Sequence, residues 1–461
     1  MMRSLFSGVA GLKSHQTRMD SIGNNIANVN TTGYKSSRVT FADTLYQTTA
    51  GAASPTGTTG GTNPKQIGLG TSVASIDTIF TDGSTQSTGK NTDLAITGSG
   101  LFVVKDGSGT YYTRDGAFEF DAAGNYVLPG NGMYVQGWMG TNGTISASGA
   151  TTNITIKAGK GMASAATTKG TYTNNLDASA LTITSMTQGG TAVTGSATAT
   201  SDKPITLTMS DGTTVTETSG KYTVNDSIPV TTTLTVYDSL GTAHAVPVTF
   251  EKTATANQWQ LNLIPTETDG STTKIDGATV TLTPATSTVT FTTSGAYSAD
   301  TSPTIKLTGY SDHAADTSVT VVLTGLTQYA GNSTIAGTAN GNAAGTLKSV
   351  SIDSSGTITG TYTNGVKQAE AKVAIAQFNN PGGLTKNGSS LYTQSNNSGT
   401  ANVKTASDLG VTITPSSLEM SNVDIANEFS DMIITQRGFQ ANSKIITVGD
   451  DMLETLINMK R

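Results

Sequence analysis

The sequence predicts a mainly β protein whose two chain ends form α-helices that pair as a coiled coil. Apolar residues recur every seven positions at both ends, charged residues make up only 13% of the 461 residues, and the chain contains 52 glycines. A seven-residue apolar repeat is typical of coiled-coil helices, whereas low charge with abundant glycine, threonine and serine favours strands and turns. A chain of this length should also divide into more than one domain.

The first predicted element is an N-terminal helix over residues 4–28. Gly8, Gly11 and Gly23 weaken it by about 1 kcal/mol each relative to alanine, so we expect it to become ordered only against a partner. Asparagine and glycine accept the left-handed backbone that ends helices, and they predict a stop after residue 28. A helix cap and nothing more would explain that stop equally well. The heptad residues are Leu5, Leu12, Met19 and Ile26, and the stop residues are Asn24, Asn25, Asn28, Asn30 and Gly33.

An inner β domain is predicted next to this helix. Short strand-like runs separated by Asp-Gly, Gly-Asn and Pro-Gly turns extend from residue 70 to 140, and the same style returns from 347 to 400. We therefore predict an inner domain that comprises residues 34–145 and 336–415. Within it, residues 36–66 read as a linker with little regular structure.

An outer β domain is predicted between the two parts of the inner one. Residues 146–335 carry longer threonine-rich alternations, such as Thr231 to Tyr237, which are typical of half-buried strands. They predict one or two β modules, and a boundary near residue 270 is one option. The predicted domains are nested, because residues 1–33 and 416–461 form a helical core domain from both chain ends.

The last predicted element is a long helix from Leu418 to Arg461. Its heptad residues are Leu418, Ile425, Met432, Phe439, Ile446 and Leu453. The second row of the seam lies four positions after each heptad residue from Ile425 onward, and it comprises Phe429, Gln436, Ser443, Asp450 and Ile457. Because three of these are polar, the seam should pack less tightly than an apolar one and suit helices that slide while staying bound. The alternative, in which the polar positions face solvent or a channel, carries equal weight.

No motif for catalysis, cofactor binding or metal binding is found. Cysteine is absent, which excludes disulfides, thiolate metal sites and cysteine nucleophiles. His15, His244 and His313 lie far apart and have no Cys, His or Glu at ligand spacing. Gly98 and Gly100 precede a predicted strand rather than a helix, so they do not indicate a phosphate-binding loop. We expect no enzyme.

Nucleic acid and membrane are also unlikely partners by charge and hydropathy. The net charge is −6 and no basic patch is present, which argues against nucleic acid. No run approaches the roughly 18 apolar residues of a membrane span. The first residues lack the apolar core of a Sec-type signal, so we expect any export to use another route.

Both chain ends carry motifs of one known family. The N-terminal motifs are Ser7-Gly8 with Gly11-Leu12, Asn24-Asn25-Ile26-Ala27-Asn28 and Thr32-Gly33-Tyr34-Lys35. The C-terminal motifs are Ser421-Asn422-Val423-Asp424, Glu428-Phe429, Met432-Ile433, Gln436-Arg437, Asn442-Ser443-Lys444 and Lys460-Arg461. In this order, and at the extremes of the chain, they resemble the terminal signatures of the bacterial flagellar rod and hook family.

The middle of the chain resembles the hook members of this family more than the rod members. The runs Asp93-Leu94-Ala95-Ile96 and Tyr112-Thr113-Arg114-Asp115-Gly116 resemble the β domain beside that family's helical core. The run Val236-Tyr237-Asp238-Ser239-Leu240-Gly241, with His244 and Trp259, resembles the outer domain of the hook members. Rod members of the family usually lack so large an insertion, so the resemblance favours a hook subunit.

The resemblance implies a structural function. Copies of the chain would polymerise into a curved, flexible tube that acts as a universal joint and transmits torque from the rod to the filament of the flagellum. The implied partners are further copies of the chain, the distal rod protein, the hook cap protein, the hook–filament junction protein and the flagellar type III export apparatus. The implied location is the hook and basal body of the flagellum, extracellular after export. The implied self-assembly residues are the two heptads together with Asn24, Asn25, Asn28, Gly33, Tyr34, Asn422, Gln436 and Asn442.

Two other functions stay open at this point. A distal rod protein of the same family would form a straight, stiff tube. A secreted adhesin built from threonine-rich β modules would depend on its middle and could dispense with its ends.

Overall fold

The computed structural model describes residues 2–459 except 58, 108, 265–266, 270–271, 286 and 299–301. Lys460 and Arg461, which close the C-terminal signature, lie outside the described residues. The chain folds as two compact units. Unit 1 comprises Met1–Lys160, Leu347–Thr361 and Lys367–Arg461, and unit 2 comprises Gly161–Thr346 and Tyr362–Val366.

Unit 1 contains the two terminal helices, α1 (Met2–Ala27) and α2 (Ile425–Asn458), which pack against each other. The predicted fold class, mainly β with paired terminal helices, is confirmed. α2 begins later than predicted because the carboxylate of Asp424 accepts hydrogen bonds from the amides of Ala426 (2.9 Å) and Asn427 (3.3 Å). Such an N-cap marks the start of a helix. Leu418 therefore does not belong to the helical heptad and lies in a strand instead.

The strands are numbered in chain order. Those before unit 2 are β1 (Ser37–Asp43), β2 (Tyr46–Ala50), β3 (Lys65–Gly68), β4 (Thr71–Thr78), β5 (Thr85–Ser87), β6 (Leu94–Thr97), β7 (Leu101–Lys105), β8 (Thr110–Thr113), β9 (Glu119–Phe120), β10 (Tyr126–Leu128), β11 (Met133–Thr141), β12 (Thr144–Ile145) and β13 (Thr152–Asn153). Those that follow, in unit 2, are β14 (Gly161–Met162), β15 (Lys169–Asp177), β16 (Ile183–Gln188), β17 (Thr191–Val193), β18 (Ser196–Ala199), β19 (Ile205–Met209), β20 (Thr214–Glu217), β21 (Gly220–Thr223), β22 (Val230–Tyr237), β23 (Ala243–Lys252), β24 (Gln258–Leu263), β25 (Glu267–Asp269), β26 (Thr272–Ile275), β27 (Ala278–Thr283), β28 (Ser287–Thr290), β29 (Thr304–Thr308), β30 (Thr317–Tyr329) and β31 (Ala336–Ala339). The remaining strands are β32 (Gly345–Ile352), β33 (Thr357–Tyr362), β34 (Lys367–Val373), β35 (Ile375–Gln377), β36 (Thr385–Lys386), β37 (Leu391–Thr393), β38 (Asn402–Lys404), β39 (Thr412–Pro415) and β40 (Ser417–Glu419), with short 3-10 helices at Pro381–Gly383 and Ser407–Leu409.

The β part of unit 1 is built around one sheet with the order β33-β34-β11-β7-β8-β37-β36. Strands from the two distant parts of the chain are neighbours in it, and their apolar faces form a buried core that includes Phe102, Val135 and Val373. The last strands of the chain also pair with early ones: β39 with β6, and β40 with β5, both antiparallel. Both chain ends are therefore needed to complete unit 1.

Residues 36–66, predicted as a linker with little regular structure, are partly β in the structure. β1 pairs with β4 and β2 pairs with β3, both antiparallel. The partner strands lie at the end of the predicted linker or beyond it, so the composition of the linker did not reveal the pairing. The β1–β4 ribbon packs against α1 and buries Val39.

Among its described residues, unit 2 has two apolar cores. The larger lies between a seven-stranded sheet, β25-β26-β27-β29-β30-β15-β31, and a four-stranded sheet, β22-β23-β24-β28. The smaller lies on β16 to β21, and its members include Ile183, Met186 and Leu207. The boundary considered near residue 270 is not found, because the larger core packs Trp259 with Val280 from the other side of that position.

A tight turn in unit 2 is held by Asp238. Its Oδ1 accepts hydrogen bonds from the amides of Leu240 (2.8 Å) and Thr242 (2.9 Å), and its Oδ2 lies 3.2 Å from Nε2 of His244. Burial alone would raise the pKa of Asp238, but the bonds from Thr242, His244 and Leu240 outweigh it and lower the pKa to about 2. This turn therefore depends on an ionised carboxylate.

Candidate functional site: the meeting point of the two chain ends

The two terminal helices lie antiparallel. His15 of α1 faces Gly438 of α2. Nearer the start of α1, Gly11 faces Asn442, which lies further along α2. Residues that come earlier in α1 thus meet residues that come later in α2, as in an antiparallel pair.

Glycines let the two helices approach closely. A Cβ added to Gly11 would lie 2.7 Å from Oδ1 of Asn442, and one added to Gly449 would lie 2.8 Å from Cδ2 of Leu5. Both distances are shorter than van der Waals contact, so a larger residue would have to displace the side chain of Asn442 or Leu5. Gly23, by contrast, has no neighbour within 4 Å of such a Cβ.

The most buried face of α1 is not its predicted heptad. Leu5, Leu12, Met19 and Ile26 are each half-buried. The fully buried positions are Gly8, Gly11, Ser14, Ile22 and Asn25. All but Ile22 are small or polar, because α1 packs against both α2 and the β1–β4 ribbon. The sequence signal for this face was the pair Gly8 and Gly11, which sequence analysis treated as a weakness of the helix and as part of a family motif.

The predicted heptad of α2 is divided between two environments. Met432, Ile446 and Leu453 are half-buried. Ile425 and Phe439 are 45% and 37% exposed. The heptad therefore describes one edge of the contact with α1 rather than its centre.

The second row of the α2 seam was predicted one position off. Gln436 and Asp450, predicted as seam positions, are exposed, as the alternative interpretation expected. The row that packs toward α1 comprises Glu428, Thr435, Asn442 and Gly449. Sliding of the helices stays a prediction, and it now concerns this small and polar row.

Asn25 connects α1 to α2 and to β1. Its Nδ2 donates to Oε1 of Glu428 (2.9 Å) and to the carbonyl of Ser37 (2.9 Å). Its Oδ1 accepts from the amide of Ser37 (2.9 Å) and from the hydroxyl of Tyr34 (3.2 Å). Burial raises the pKa of the Glu428 carboxyl, although the hydrogen bond from Asn25 opposes this. One buried amide therefore satisfies partners on three segments.

The hydrogen bonds between Asn24, Asn28 and Thr31 lie at the C-terminal end of α1 and in the turn that follows it. Nδ2 of Asn28 donates to the carbonyl (2.9 Å) and to Oδ1 (2.8 Å) of Asn24, and Oδ1 of Asn28 accepts from the hydroxyl of Thr31 (3.1 Å). Such bonds satisfy groups left open where a helix ends. The geometry of these two residues is that of a helix cap, and their role in self-assembly stays a prediction.

Gly33 and Tyr34 lead the chain from α1 into the junction. Gly33 has a φ of +64°, and a Cβ there would lie 2.5 Å from the amide nitrogen of Asp115. Its own amide donates to the carbonyl of Glu419 at 2.8 Å. Nζ of Lys386 lies 5.0 Å from the centre of the Tyr34 ring, a cation–π distance. Only glycine fits at position 33, because of its positive φ and the close approach of Asp115.

The carboxylate of Glu419 is the centre of a buried ion cluster that sequence analysis missed. Its Oε1 accepts hydrogen bonds from Nζ of Lys35 (2.6 Å) and from the amide of Gly83 (3.0 Å), and its Oε2 accepts from NH1 of Arg114 (3.0 Å). The three charged side chains are at most 2% exposed. The cluster joins the segment after α1, the inner β strands and the segment before α2.

The rest of the cluster consists of backbone carbonyls and the partly exposed carboxylate of Asp82, which lies 3.4 Å from NH1 of Arg114. Arg114 donates to the carbonyls of Gly98 (2.6 Å) and Ile96 (3.2 Å). Burial lowers the pKa of Lys35, whereas the charge of Glu419 favours the protonated lysine. Because breaking one buried pair leaves an uncompensated charge, Lys35 and Arg114 both depend on Glu419.

Asn422 closes the junction just before α2. Its Oδ1 accepts from the amide of Ser36 (2.8 Å), and its Nδ2 donates to the carbonyl of Ile79 (2.9 Å) and the hydroxyl of Thr81 (3.0 Å). This predicted site residue therefore connects the segments that flank β1 and β4 rather than the two helices.

The chemistry of the site is packing, hydrogen bonding and ion pairing. Among the described residues, no group of three or more His, Asp or Glu side chains could hold a metal ion. In the part of the chain that the structure describes, neither helix is long and apolar enough to cross a membrane. The residues named above bind the chain to itself.

Four family descriptions match successive parts of the chain. They are "Flagella basal body rod protein" over residues 5–35, "Flagellar hook protein FlgE/F/G D1 domain" over 95–171, "Flagellar basal body protein FlaE D2 domain" over 210–342 and "Flagellar basal body rod FlgEFG protein C-terminal" over 414–459. The two terminal matches cover the helix pair and the segments of the junction.

Whole-length relatives agree with these matches. The flagellar hook protein FlgE of Treponema pallidum is 39% identical and that of Borreliella burgdorferi 35% identical, each over 100% of both chains. The flagellar basal-body rod protein FlgG of Bacillus subtilis is 29% identical, also over 100% of both chains. On this whole-length similarity, the chain belongs to the flagellar hook protein FlgE family.

Proposed function

We propose that this chain is the structural subunit of the bacterial flagellar hook. Copies polymerise into a curved, flexible tube that transmits torque from the rod to the filament. One observation carries the proposal: α2 leaves large apolar side chains uncovered from its first turn to its last. The exposed residues are Ile425, Phe429, Ile433, Ile434, Phe439, Ile445, Val448, Met452, Leu456, Ile457 and Met459.

An uncovered apolar helix face of this length is unusual in a protein that acts alone. A helix that is apolar on most sides is normally buried, and large exposed apolar patches mark interaction sites. α1 covers one side of α2 through small and polar residues. The exposed apolar residues of α2 are left for other copies of the chain. A contact between two different surfaces of the same chain continues as a helical assembly if it does not close.

We further propose distinct roles for the parts of the chain. The helix pair, from residues 1–33 and 416–461, builds the inner tube. The inner β domain, residues 34–145 and 336–415, supports it, and the outer domain, residues 146–335, forms the outside. Export through the flagellar type III apparatus would place the subunit outside the cell, between the distal rod protein and the hook–filament junction protein, with the hook cap protein at the growing end. The family is structural, and we propose no enzymatic activity.

A distal rod protein is the second candidate. The rod protein of Bacillus subtilis matches along the whole chain at 29% identity, which favours the same kind of assembly. The identities to the two hook proteins are higher, at 39% and 35%. Electron microscopy of the assembled protein separates the two, because a hook is curved and a rod is straight.

Point variants on the exposed face of α2 test the proposal. In the full chain, Phe429→Ser, Ile433→Ser and Val448→Ser together should abolish tubes in negative-stain images while leaving the helix pair folded by circular dichroism. The matched control is Leu240→Ser, which changes an equally exposed apolar residue in unit 2. Tubes from the triple variant, or no tubes from the unmodified chain, would overturn the proposal.

A further inference from the structure

The outer face of α1 is basic and apolar. Arg3 and Lys13 are exposed, and Phe6 and Val9, which are 66% and 41% exposed, lie between them on the same face. With a rise of 1.5 Å per residue, the two basic residues are about 15 Å apart along the helix, and their long side chains can bend toward the space between them. This face is turned away from α2, because α1 contacts α2 through Gly8 and other small residues on its opposite side.

The outer face of the C-terminal half of α2 is acidic and apolar. Asp450, Asp451 and Glu454 are exposed, and Val448 and Met452, which are 42% and 48% exposed, lie in the same turns of the helix. Because these acids would repel an anionic lipid surface, the apolar face is poorly suited to a membrane.

The charges of the two helices are complementary and almost unused within one chain. α1 carries three basic and one acidic side chain, and α2 carries five acidic and two basic ones. Among the described residues, the ion pair that joins the two helices is Arg18 with Asp431, at 3.0 Å. The exposed basic residues of α1 and the acidic cluster of α2 form no described ion pair, although they belong to the same unit.

We propose that the outer face of α1 in one copy docks on the outer face of α2 in the next copy. Arg3 and Lys13 then surround the acidic cluster Asp450, Asp451 and Glu454, while Phe6 and Val9 cover the neighbouring apolar residues. Opposite charge fixes which two faces meet and accelerates their encounter. Because the two faces are different, each copy keeps one of each free and the assembly grows. The inference rests on the proposed function.

Charge exchange in the full-length chain tests this contact. One variant carries Arg3→Glu and Lys13→Glu, and the other carries Asp450→Lys, Asp451→Lys and Glu454→Lys. Each alone should polymerise at least about tenfold more slowly than the unmodified chain in about 50 mM salt, by light scattering. The difference should shrink in about 500 mM salt, where charges are screened. An equimolar mixture of the two variants should recover, because every contact then pairs opposite charges.

A matched control separates this contact from net charge. Lys157→Glu with Lys348→Glu makes the same charge change as the α1 variant at exposed positions outside the helices, and it should polymerise normally. If the unmodified chain forms tubes and both charge variants do so at its rate, the inference is wrong and the proposed function stands. Folded variants that fail to recover on mixing, or an unmodified chain that pellets with anionic phosphatidylserine vesicles through Arg3 and Lys13, would also overturn it. Absence of tubes from the unmodified chain would instead refute the proposed function.

Discussion

Replacing Glu419 by glutamine removes one negative charge from a cluster that water does not reach. Its carboxylate lies 2.6 Å from Nζ of Lys35 and 3.0 Å from NH1 of Arg114, and all three side chains are at most 2% exposed. The amide of glutamine keeps the shape but leaves both cations with only Asp82, at 3.4 Å from Arg114 and itself partly exposed. Removing one partner of a buried ion pair costs about 3–5 kcal/mol. We expect unit 1 to lose that much free energy of unfolding.

The two tryptophans allow each unit to be followed separately. Trp138 is buried in unit 1 and Trp259 in unit 2. With Trp259→Phe as background, fluorescence during urea unfolding reports unit 1, and with Trp138→Phe it reports unit 2. For an m-value of about 2–3 kcal/mol/M, Glu419→Gln should lower the unit 1 midpoint by about 1–2 M. The unit 2 midpoint should not move.

Two controls make this prediction decisive. Glu119→Gln breaks the exposed Lys90–Glu119 pair, also at 3.0 Å, and should change the stability of unit 1 by no more than about 1 kcal/mol. Replacing all three cluster residues by methionine removes the charges together and should cost far less than Glu419→Gln alone. If Glu419→Gln shifted the unit 1 midpoint no further than Glu119→Gln does, the cluster would not hold the chain ends together.

Three further predictions concern the helices and the outer unit. Gly11→Ala should destabilise unit 1 by about 1–3 kcal/mol in urea unfolding, because its Cβ would press on Asn442. The control Gly23→Ala, where the new Cβ has open space, should be neutral or stabilising. Equal effects of the two variants would contradict the close packing at Gly11. Asp424→Ala should cost about 1 kcal/mol and speed amide exchange at the start of α2; unchanged exchange would contradict the cap. Because the pKa of Asp238 is lowered, its carboxylate stabilises unit 2 at pH values above the ordinary pKa of aspartate, and this stability is lost as pH falls through about 2. Asp238→Asn should therefore flatten the acid unfolding of unit 2 between about pH 4 and 2. An unaltered acid transition would count against a role of this carboxylate.

Local pattern predicted the elements of this fold better than their contacts. The two heptads located both helices, because apolar spacing is a property of each segment alone. Leu418 continued the heptad of α2 by spacing, but it pairs with Gln86 in a strand, and that partner is far away in the sequence. Asp424 was the local signal for the true start of the helix.

The centre of the site escaped prediction for two physical reasons. Apolar periodicity gives weight to large residues, whereas α1 packs between two neighbours and buries Gly8, Gly11 and Ser14 instead. The ion cluster joins residues separated by 384 and 305 positions, so no window of sequence contains a pair. Lys35 and Arg114 stood in recognised motifs, but their shared partner, Glu419, did not.

The position of Glu419 near the end of the chain also sets an order of events in folding. The strands of unit 2 lie between the two chain ends, so they can pair while the C-terminal segment is still missing. Unit 1 has to close a loop of several hundred residues, which is slow and entropically unfavourable until many contacts form together. A chain interrupted before Glu419 would keep Lys35 and Arg114 without their counter-ion and would have no α2. The buried cluster can thus form only after the segment with Glu419 has been made, and only a copy that contains α2 can present a paired set of helices to its neighbours.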